Sequence, residues 1–271
     1  MPAAVSIWTG IPYRETPQRT LYLDLRVPRA VRPPPLVLYI PMGGMRGCRR
    51  ESTQWWLTEH GFAVAGIEAR VSSEATAPAQ VHDCKAAVRW LRSHAVQYGY
   101  RGDAIGAWGH SAGGLLASML GTSDGVAELE GEGAYAGVSS AVQAVVDACG
   151  APHDFSWFKR PDILARFAPV AENLRLYLGG TVEEREDLAR LASPATHVSP
   201  RCPPILLLHG DADTVVPLEE TAEFHRSLKA AGVDSTLRAL PGAGHGWDPA
   251  LTRDDVVAFF NRTLNTPVPA V

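Results

Sequence analysis

Short apolar runs alternate with stretches of helical periodicity along most of the chain. LVLYI (36–40), FAVAGI (62–67), AIGAW (104–108), VQAVVDAC (142–149), PILLLH (204–209) and STLRAL (235–240) are continuous rather than alternating in their apolarity. That is the pattern of parallel strands covered on both faces. Between them, AQVHDCKAAVRWLRSHA sets Val81, Cys84, Val88, Leu91 and Ala95 three or four residues apart, which gives one buried helical stripe. ESTQWWLTEHG predicts a helix from about Ser52 that stops at Gly61. PLEETAEFHRSLKAAG opens on Pro217 and acidic residues and closes on Lys229 and Gly232, in keeping with the helix dipole. TRDDVVAFFNRTL supplies a final amphipathic helix. Strand alternating with helix implies an α/β architecture: a doubly wound, mostly parallel sheet of about eight strands with helices on both faces. TLYLDLRV reads as an antiparallel edge strand, and RPPP (32–35) as a turn ahead of a strand, because proline removes ladder donors. No internal repeat, low-complexity tract or long linker interrupts the series, so 1–271 is expected to be a single domain.

Composition narrows the function classes. The chain has 271 residues, 46% apolar and 20% charged, with a formal net charge of −4, which suits a globule with a sizeable core. There is no basic footprint for nucleic acid or an anionic membrane. No run approaches eighteen apolar residues, so no bilayer-spanning helix is expected. MPAAVSIWTGIPYRE lacks the basic start and apolar block of a secretory signal, which points to a cytoplasmic protein. Cys48, Cys84, Cys149 and Cys202 lie far apart with no C-x-x-C spacing, so free thiols are expected and no metal site. Cys48 stands out because it sits beside a glycine loop.

The candidate chemistry centres on AWGHSAGG (107–114). It places G-x-S-x-G between a predicted strand and a small-residue helix, the setting in which a serine sits on a strained turn with its hydroxyl projecting from the sheet. Ser111 is therefore the candidate nucleophile. A serine hydroxyl needs a base, and the base an orienting acid. His245, in PGAGHGW after the last predicted strand, reaches the carboxyl edge of the sheet on the side of Ser111. His110 and His209 are its nearest rivals. His60, His82, His94 and His225 fall on predicted helices, while His153 and His197 lie in the segment before the strand at 204–209. For the acid, HGDADTVVP offers Asp211 and Asp213, which spacing alone does not separate, and Asp147 is a third candidate. The chain order Ser, Asp, His suits the fold.

The chain resembles the esterase branch of the α/β-hydrolases that includes acetyl-xylan and feruloyl esterases and kynurenine formamidase-like enzymes. The resemblance runs from IPYRETPQRTLYLDLRVP through AWGHSAGG and ASPATHVS to HGDADTVVP and PGAGHGW. It implies an α/β-hydrolase fold; the stretch between Cys149 and Pro204 must also supply a crossover helix, so no large lid is expected. The pattern H-G-x-x-D-x-x-V-P, carried over His209 to Pro217, makes Asp213 the acid. It also implies oxyanion donors at the amides of Gly43, Gly44 and Ala112. IPMGGMRG (40–47) departs from the family's His-Gly-Gly-Gly-Trp by carrying Pro41 and Met42, and Glu68-Ala69-Arg70 replaces a usual Asp-Tyr-Arg. Backbone amides survive such changes, so a working, altered oxyanion loop is expected. The implied function is hydrolysis of a small-molecule carboxylic ester of short to medium acyl chain through an acyl-serine, with no cofactor. An amide-directed hydrolase and a non-catalytic binder on the same fold are the alternatives; binders such as the gibberellin receptors have lost the histidine that is present here as His245. Met45, Arg46, Phe155, Trp157 and Trp247 are the candidate substrate contacts. Phe158 and Phe167 join Phe155 and Trp157 in the stretch between Cys149 and Pro204, the only room for a cap.

Overall fold

The computed structural model describes residues 4–150 and 152–265. The strands are β1 (Val5–Glu15), β2 (Thr20–Pro28), β3 (Leu36–Ile40), β4 (Met42–Gly43), β5 (Gly47–Cys48), β6 (Ala63–Ile67), β7 (Ile105–His110), β8 (Ala144–Ala148), β9 (Ile205–Gly210) and β10 (Ser235–Leu240). The helices are α1 (Ala79–Tyr98), α2 (Ala112–Thr122), α3 (Ala127–Glu130), α4 (Pro161–Arg166), α5 (Ala168–Leu178), α6 (Glu186–Leu191), α7 (Leu218–Ala230) and α8 (Arg253–Leu264). Eight strands form one sheet in the order β1-β2-β6-β3-β7-β8-β9-β10, while β4 and β5 make a separate hairpin. The pairs β1–β2 and β2–β6 are antiparallel, and every other pair in the main sheet is parallel. This is the α/β-hydrolase fold, with no large lid among the described residues. Among the described residues no helix is long and apolar enough to cross a membrane.

Three expectations need correction, one of them that STLRAL is covered on both faces: β10 ends the sheet and exposes Thr236, Arg238 and Ala239. TLYLDLRV is antiparallel but is not an edge; β1 covers it. The edge strand carries Gly10 and Pro12, and its register with β2 shifts at both Trp8/Ile11 and Pro12/Arg14, which hides strand periodicity in the sequence. The helix expected from Ser52 is instead two 3-10 turns, Arg50–Ser52 and Trp55–His60, separated by an extended Thr53. Thr53 Oγ1 donates to the Arg50 carbonyl (2.7 Å), and the buried side chain fills the space above Gly66. Gly61 does close the segment, in the left-handed conformation at φ 85°.

The continuous apolarity of the parallel strands divides by parity. Leu36, Leu38, Ile40, Ile105, Ala107, Val145, Ile205 and Leu207 pack with α1, α2 and α7 on one face. Val37, Tyr39, Trp108, Val146, Leu206 and Leu208 pack with α8 on the other. The chain leaves β3 to form β6 on one side and then crosses back to form β7 on the other. That reversal opens a crevice above the carboxyl ends of β3 and β7.

A buried charge cluster ties the end of β8 to α2 and α7. Asp147 Oδ2 accepts from Ser118 Oγ (2.5 Å) and His153 Nε2 (2.8 Å), and its Oδ1 accepts from the Gly150 amide (2.7 Å). His153 Nδ1 bonds Glu220 Oε2 (2.8 Å), and Glu220 Oε1 accepts the amides of His153 and Asp154. The ring stacks on Phe224 with centroids 4.2 Å apart. Burial opposes a charge on His153, but Glu220 and Asp147 outweigh it and push its pKa up to about 10.

Two outcomes are expected. A Cβ at Gly113 would overlap the Ile40 carbonyl oxygen, whereas one at Gly137 meets nothing within 4 Å. Gly113→Ala should therefore lose about 3 kcal/mol or more in urea unfolding, with Gly137→Ala close to wild type; equal midpoints would contradict this packing. Because the pKa of His153 rises from 6.5 to about 10 on folding, its contribution is complete below about pH 6.5 and is lost as pH climbs through about 10. The stability gap between wild type and His153→Gln should accordingly shrink across that window, and a gap independent of pH would mean that His153 is neutral.

Candidate active site

Ser111 sits between β7 and α2 at φ 55°, ψ −126°. A non-glycine residue in this region costs on the order of 1–3 kcal/mol and persists only when its surroundings hold it. Here the Ser111 amide donates to the Ala148 carbonyl (2.8 Å), and the Ser111 carbonyl accepts from the Leu115 amide (3.1 Å). Gly109 and Gly113 let the strand, turn and helix pass at backbone contact, since a Cβ at Gly109 would overlap the Gly113 carbonyl.

The hydroxyl meets a hydrogen-bonded line. Ser111 Oγ lies 2.8 Å from His245 Nε2, and His245 Nδ1 lies 2.8 Å from Asp213 Oδ2. Asp213 Oδ1 accepts the amides of Val215 (2.7 Å) and Val216 (3.0 Å). His209 Nε2 stands 3.3 Å from Asp213 Oδ2. Burial acts to raise the pKa of Asp213, but the bonds from His209, His245 and the two amides prevail and hold the carboxyl far below the usual carboxylate range. Asp211, the alternative acid, is exposed and accepts the Gly242 amide (2.7 Å) instead. Asp147 belongs to the buried cluster described above.

The rival histidines have other places. His209 is fully buried and bonds Thr221 Oγ1 through Nδ1 (3.0 Å), so it braces Asp213 from below. The His110 ring lies 5.4 Å from that of His245, with its Nε2 3.1 Å from Cys149 Sγ. Burial, and then His245, lower the pKa of His110 and so disfavour its charged form. Ser118, Asp147 and His153 are a second set of triad residue types, yet the hydroxyl of Ser118 bonds the carboxylate rather than the imidazole, and Ser118 and His153 are fully buried. No substrate reaches them.

The cysteine next to the histidine is not the one singled out in the sequence. Cys48 Sγ bonds the Ile67 carbonyl (3.4 Å), and burial pushes its pKa up to about 12. Cys149, just past the end of β8 with φ 42°, donates to the His245 carbonyl (3.2 Å) and so pins the histidine loop. Only its position at the sheet's carboxyl edge hinted at this. Cys149, Asp213 and His245 hold ligand-type atoms within 4.8 Å of one another. Both ring nitrogens of His245 are taken, however, and burial keeps the thiol protonated, so the group suits a relay better than a cation.

IPMGGMRG folds as the β4–β5 hairpin. Its turn runs over Gly43 to Arg46, closed by the Arg46 amide on the Gly43 carbonyl (2.9 Å). The two central residues, Gly44 (φ 54°) and Met45 (φ 58°), are both left-handed, as a type I′ turn requires. The Ser72 amide ties the turn down through the Met45 carbonyl (2.7 Å). Ala112 opens α2, where the first amides have no intrahelical acceptor.

Two spaces flank this hairpin. A hollow of about 50 Å³ is lined by Gly44, Met45, Ser111, Ala112, Val170, Leu174 and others. A cleft of about 430 Å³ is lined by Gly43, His110, Trp247 and others. Of the expected substrate contacts, Met45 borders the hollow and Trp247 the cleft. Phe155 does neither: it is fully buried and packs on Tyr177. Trp157 is half-buried beneath Arg160 and borders neither space. Phe158 and Phe167 are core residues. Arg46 is exposed, and after Arg175 it helps to favour the ionised form of Glu172. The helical segment after β8 instead contributes Pro152, Val170, Asn173 and Leu174 to the hollow, residues that no sequence pattern marked.

Known proteins are similar in sequence and shape. The BD-FAE family matches residues 23–228. Esterase LipC of Mycobacterium tuberculosis is 29% identical over 241 residues, 87% of this chain and 59% of LipC. The chain thus spans less than two thirds of the curated relatives it matches. A truncated carbohydrate esterase from gut microbiota superposes with a TM-score of 0.83 at 27% identity, covering 98% of both chains. Butyrate-bound esterase Est2 of Thermogutta terrifontis, at 24% identity and TM-score 0.75 over 96% of this chain and 92% of that one, has the same fold. The chain belongs to the BD-FAE family, in the esterase branch of the α/β-hydrolases.

Proposed function

We propose that this chain hydrolyses small-molecule carboxylic esters of short to medium acyl chain through an acyl-serine intermediate on Ser111. The observation that carries the reading is the unbroken line from Ser111 Oγ through His245 to Asp213, both links at 2.8 Å. His245 Nε2 takes the hydroxyl proton as Ser111 attacks the ester carbon. Asp213, fixed as a carboxylate by its four donors, stabilises the imidazolium and holds the productive tautomer. The amides of Gly43, Gly44 and Ala112 receive the negative oxygen. His245 then protonates the departing alcohol, and water repeats the sequence to free the acid. The names of LipC and of the gut carbohydrate esterase support ester cleavage, and BD-FAE membership supports it further. Four unpaired cysteines suit a cytoplasmic setting.

Ser111→Ala should lower kcat by about a millionfold, and a fluorophosphonate should label the peptide that carries Ser111. An adduct elsewhere in an active preparation would sink the assignment. Asp213→Asn should cost about 10⁴ in kcat, against a few-fold for Asp211→Asn; the reverse ranking would move the acid to Asp211.

The loop makes a separate demand. Gly44→Pro removes a donor and forbids φ 54°, so kcat should fall by at least about 10²-fold with the fold intact by circular dichroism. Gly43 has no positive φ and open space at its Cβ position, while a Cβ at Gly44 would press on Asn173 Nδ2 at 2.9 Å. Gly43→Ala should accordingly be well tolerated and Gly44→Ala poorly. A folded, fully active Gly44→Pro enzyme would mean that the oxyanion is held elsewhere.

A further inference from the structure

The β4–β5 hairpin separates two spaces of very different size, and we infer that they fix which end of an ester goes where. The small hollow takes the acyl group, and the large aromatic cleft takes a ring-bearing alcohol. This orientation rests on the ester hydrolysis proposed above and adds the substrate's polarity to it.

The argument starts from where the proton must travel. When the tetrahedral adduct collapses, the bond from carbon to the alcohol oxygen breaks, and the proton on His245 Nε2 passes to that oxygen. The leaving oxygen therefore lies within hydrogen-bond reach of Nε2, and its substituent continues into whatever space adjoins the histidine loop. That space is the cleft, which Gly246 and Trp247, directly after His245, line together with His110. The acyl substituent sits on the other side of the carbonyl. There Ser111, Ala112 and Gly44 open onto the hollow, closed by Leu115, Val170, Leu174 and Val216.

Size and chemistry then assign the partners. About 50 Å³ between aliphatic walls suits an acid of two or three carbons. About 430 Å³ accommodates a ring, and the half-buried Trp247 offers an aromatic surface on which a ring packs, while Tyr39 and Trp108 border the cleft as buried core residues. The ring of Trp247 is held by its Nε1 donating to Thr252 Oγ1 (3.2 Å) and by an edge contact with His110. His110 presents a polar ring in the cleft, its charged form disfavoured by burial.

Two isomeric esters isolate the orientation. Benzyl acetate and methyl phenylacetate contain the same atoms and release alkyl alcohols, but carry the ring on opposite sides of the ester. Benzyl acetate is expected to show at least about tenfold higher kcat/KM, the scale on which a pocket rejects a group that does not fit. Val170→Ala, which deepens the hollow, should shift the ratio toward methyl phenylacetate. Ser52→Trp, which adds bulk at the cleft rim, should lower benzyl acetate turnover relative to ethyl acetate. p-Nitrophenyl acetate separates the two ways of failing. If it is not hydrolysed and Ser111 takes up no fluorophosphonate, the underlying ester hydrolysis fails. If it is hydrolysed while the isomers are used equally, not at all, or with methyl phenylacetate preferred, the orientation alone is overturned.

Discussion

Where α2 leaves β7, the backbone of Gly113 lies against the carbonyl of Ile40, and the backbone of Gly109 lies against that of Gly113, so closely that neither position has room for a Cβ. This crossing brings the end of β3 and the start of α2 into contact. It fixes how far Ser111 stands from the hairpin that follows β3, and it keeps Ser111 in a backbone conformation that it would otherwise leave. The strain is local, and the support is spread over the Ala148 carbonyl, the first turn of α2 and the parallel pairing of β7 with β3 and β8. The serine is held at a fixed point by the fold itself, and in the proposed reaction such preorganisation would favour the transition state over the ground state.

The polar interior is arranged around the same point. The chain carries two sets of serine, histidine and aspartate, and solvent access separates their uses. In the buried set an imidazolium between two carboxylates locks the segment after β8 onto α7; with its charges paired and its lone pairs satisfied, it can be buried at tolerable cost. In the other set His245 remains about a fifth exposed while Asp213 beneath it is fully enclosed. The carboxylate is thereby kept ionised by its donors, and the imidazole keeps one nitrogen facing the crevice. Cys149 and His209 belong to this support: one holds the histidine loop by its carbonyl, the other holds the acid from the protein side.

The glycine loop after β3 shows how a turn tolerates an altered sequence. Pro41 and Met42 are both buried, Met42 as a core side chain. What remains is a turn whose left-handed pair, Gly44 and Met45, sets the backbone's path. Amides are indifferent to side-chain identity, provided the turn keeps its shape.

Much of the architecture could be read from the chain because it depends on local pattern. Continuous apolar strands between amphipathic helices require burial on both faces of a sheet, and G-x-S-x-G between a strand and a helix requires a tight turn. The order of Ser111, Asp213 and His245 along the chain follows that topology. Other features have no local signature. The strand with Gly10 and Pro12 lacks a regular period, and the break at Thr53 comes from a side chain filling the gap above Gly66. Asp211 and Asp213 stand two residues apart and look alike in sequence; only the approach of the loop bearing His245 separates them. Phe155 and Trp157 look like pocket residues because apolar chemistry reads the same in a core and in a binding site. The sequence by itself determined the layers, the elbow and the residue types available for chemistry, since these follow from periodicity and backbone sterics. Tertiary structure alone decided which carboxylate meets the histidine, which serine meets solvent and which walls close each pocket, because these depend on distances between segments far apart in the chain.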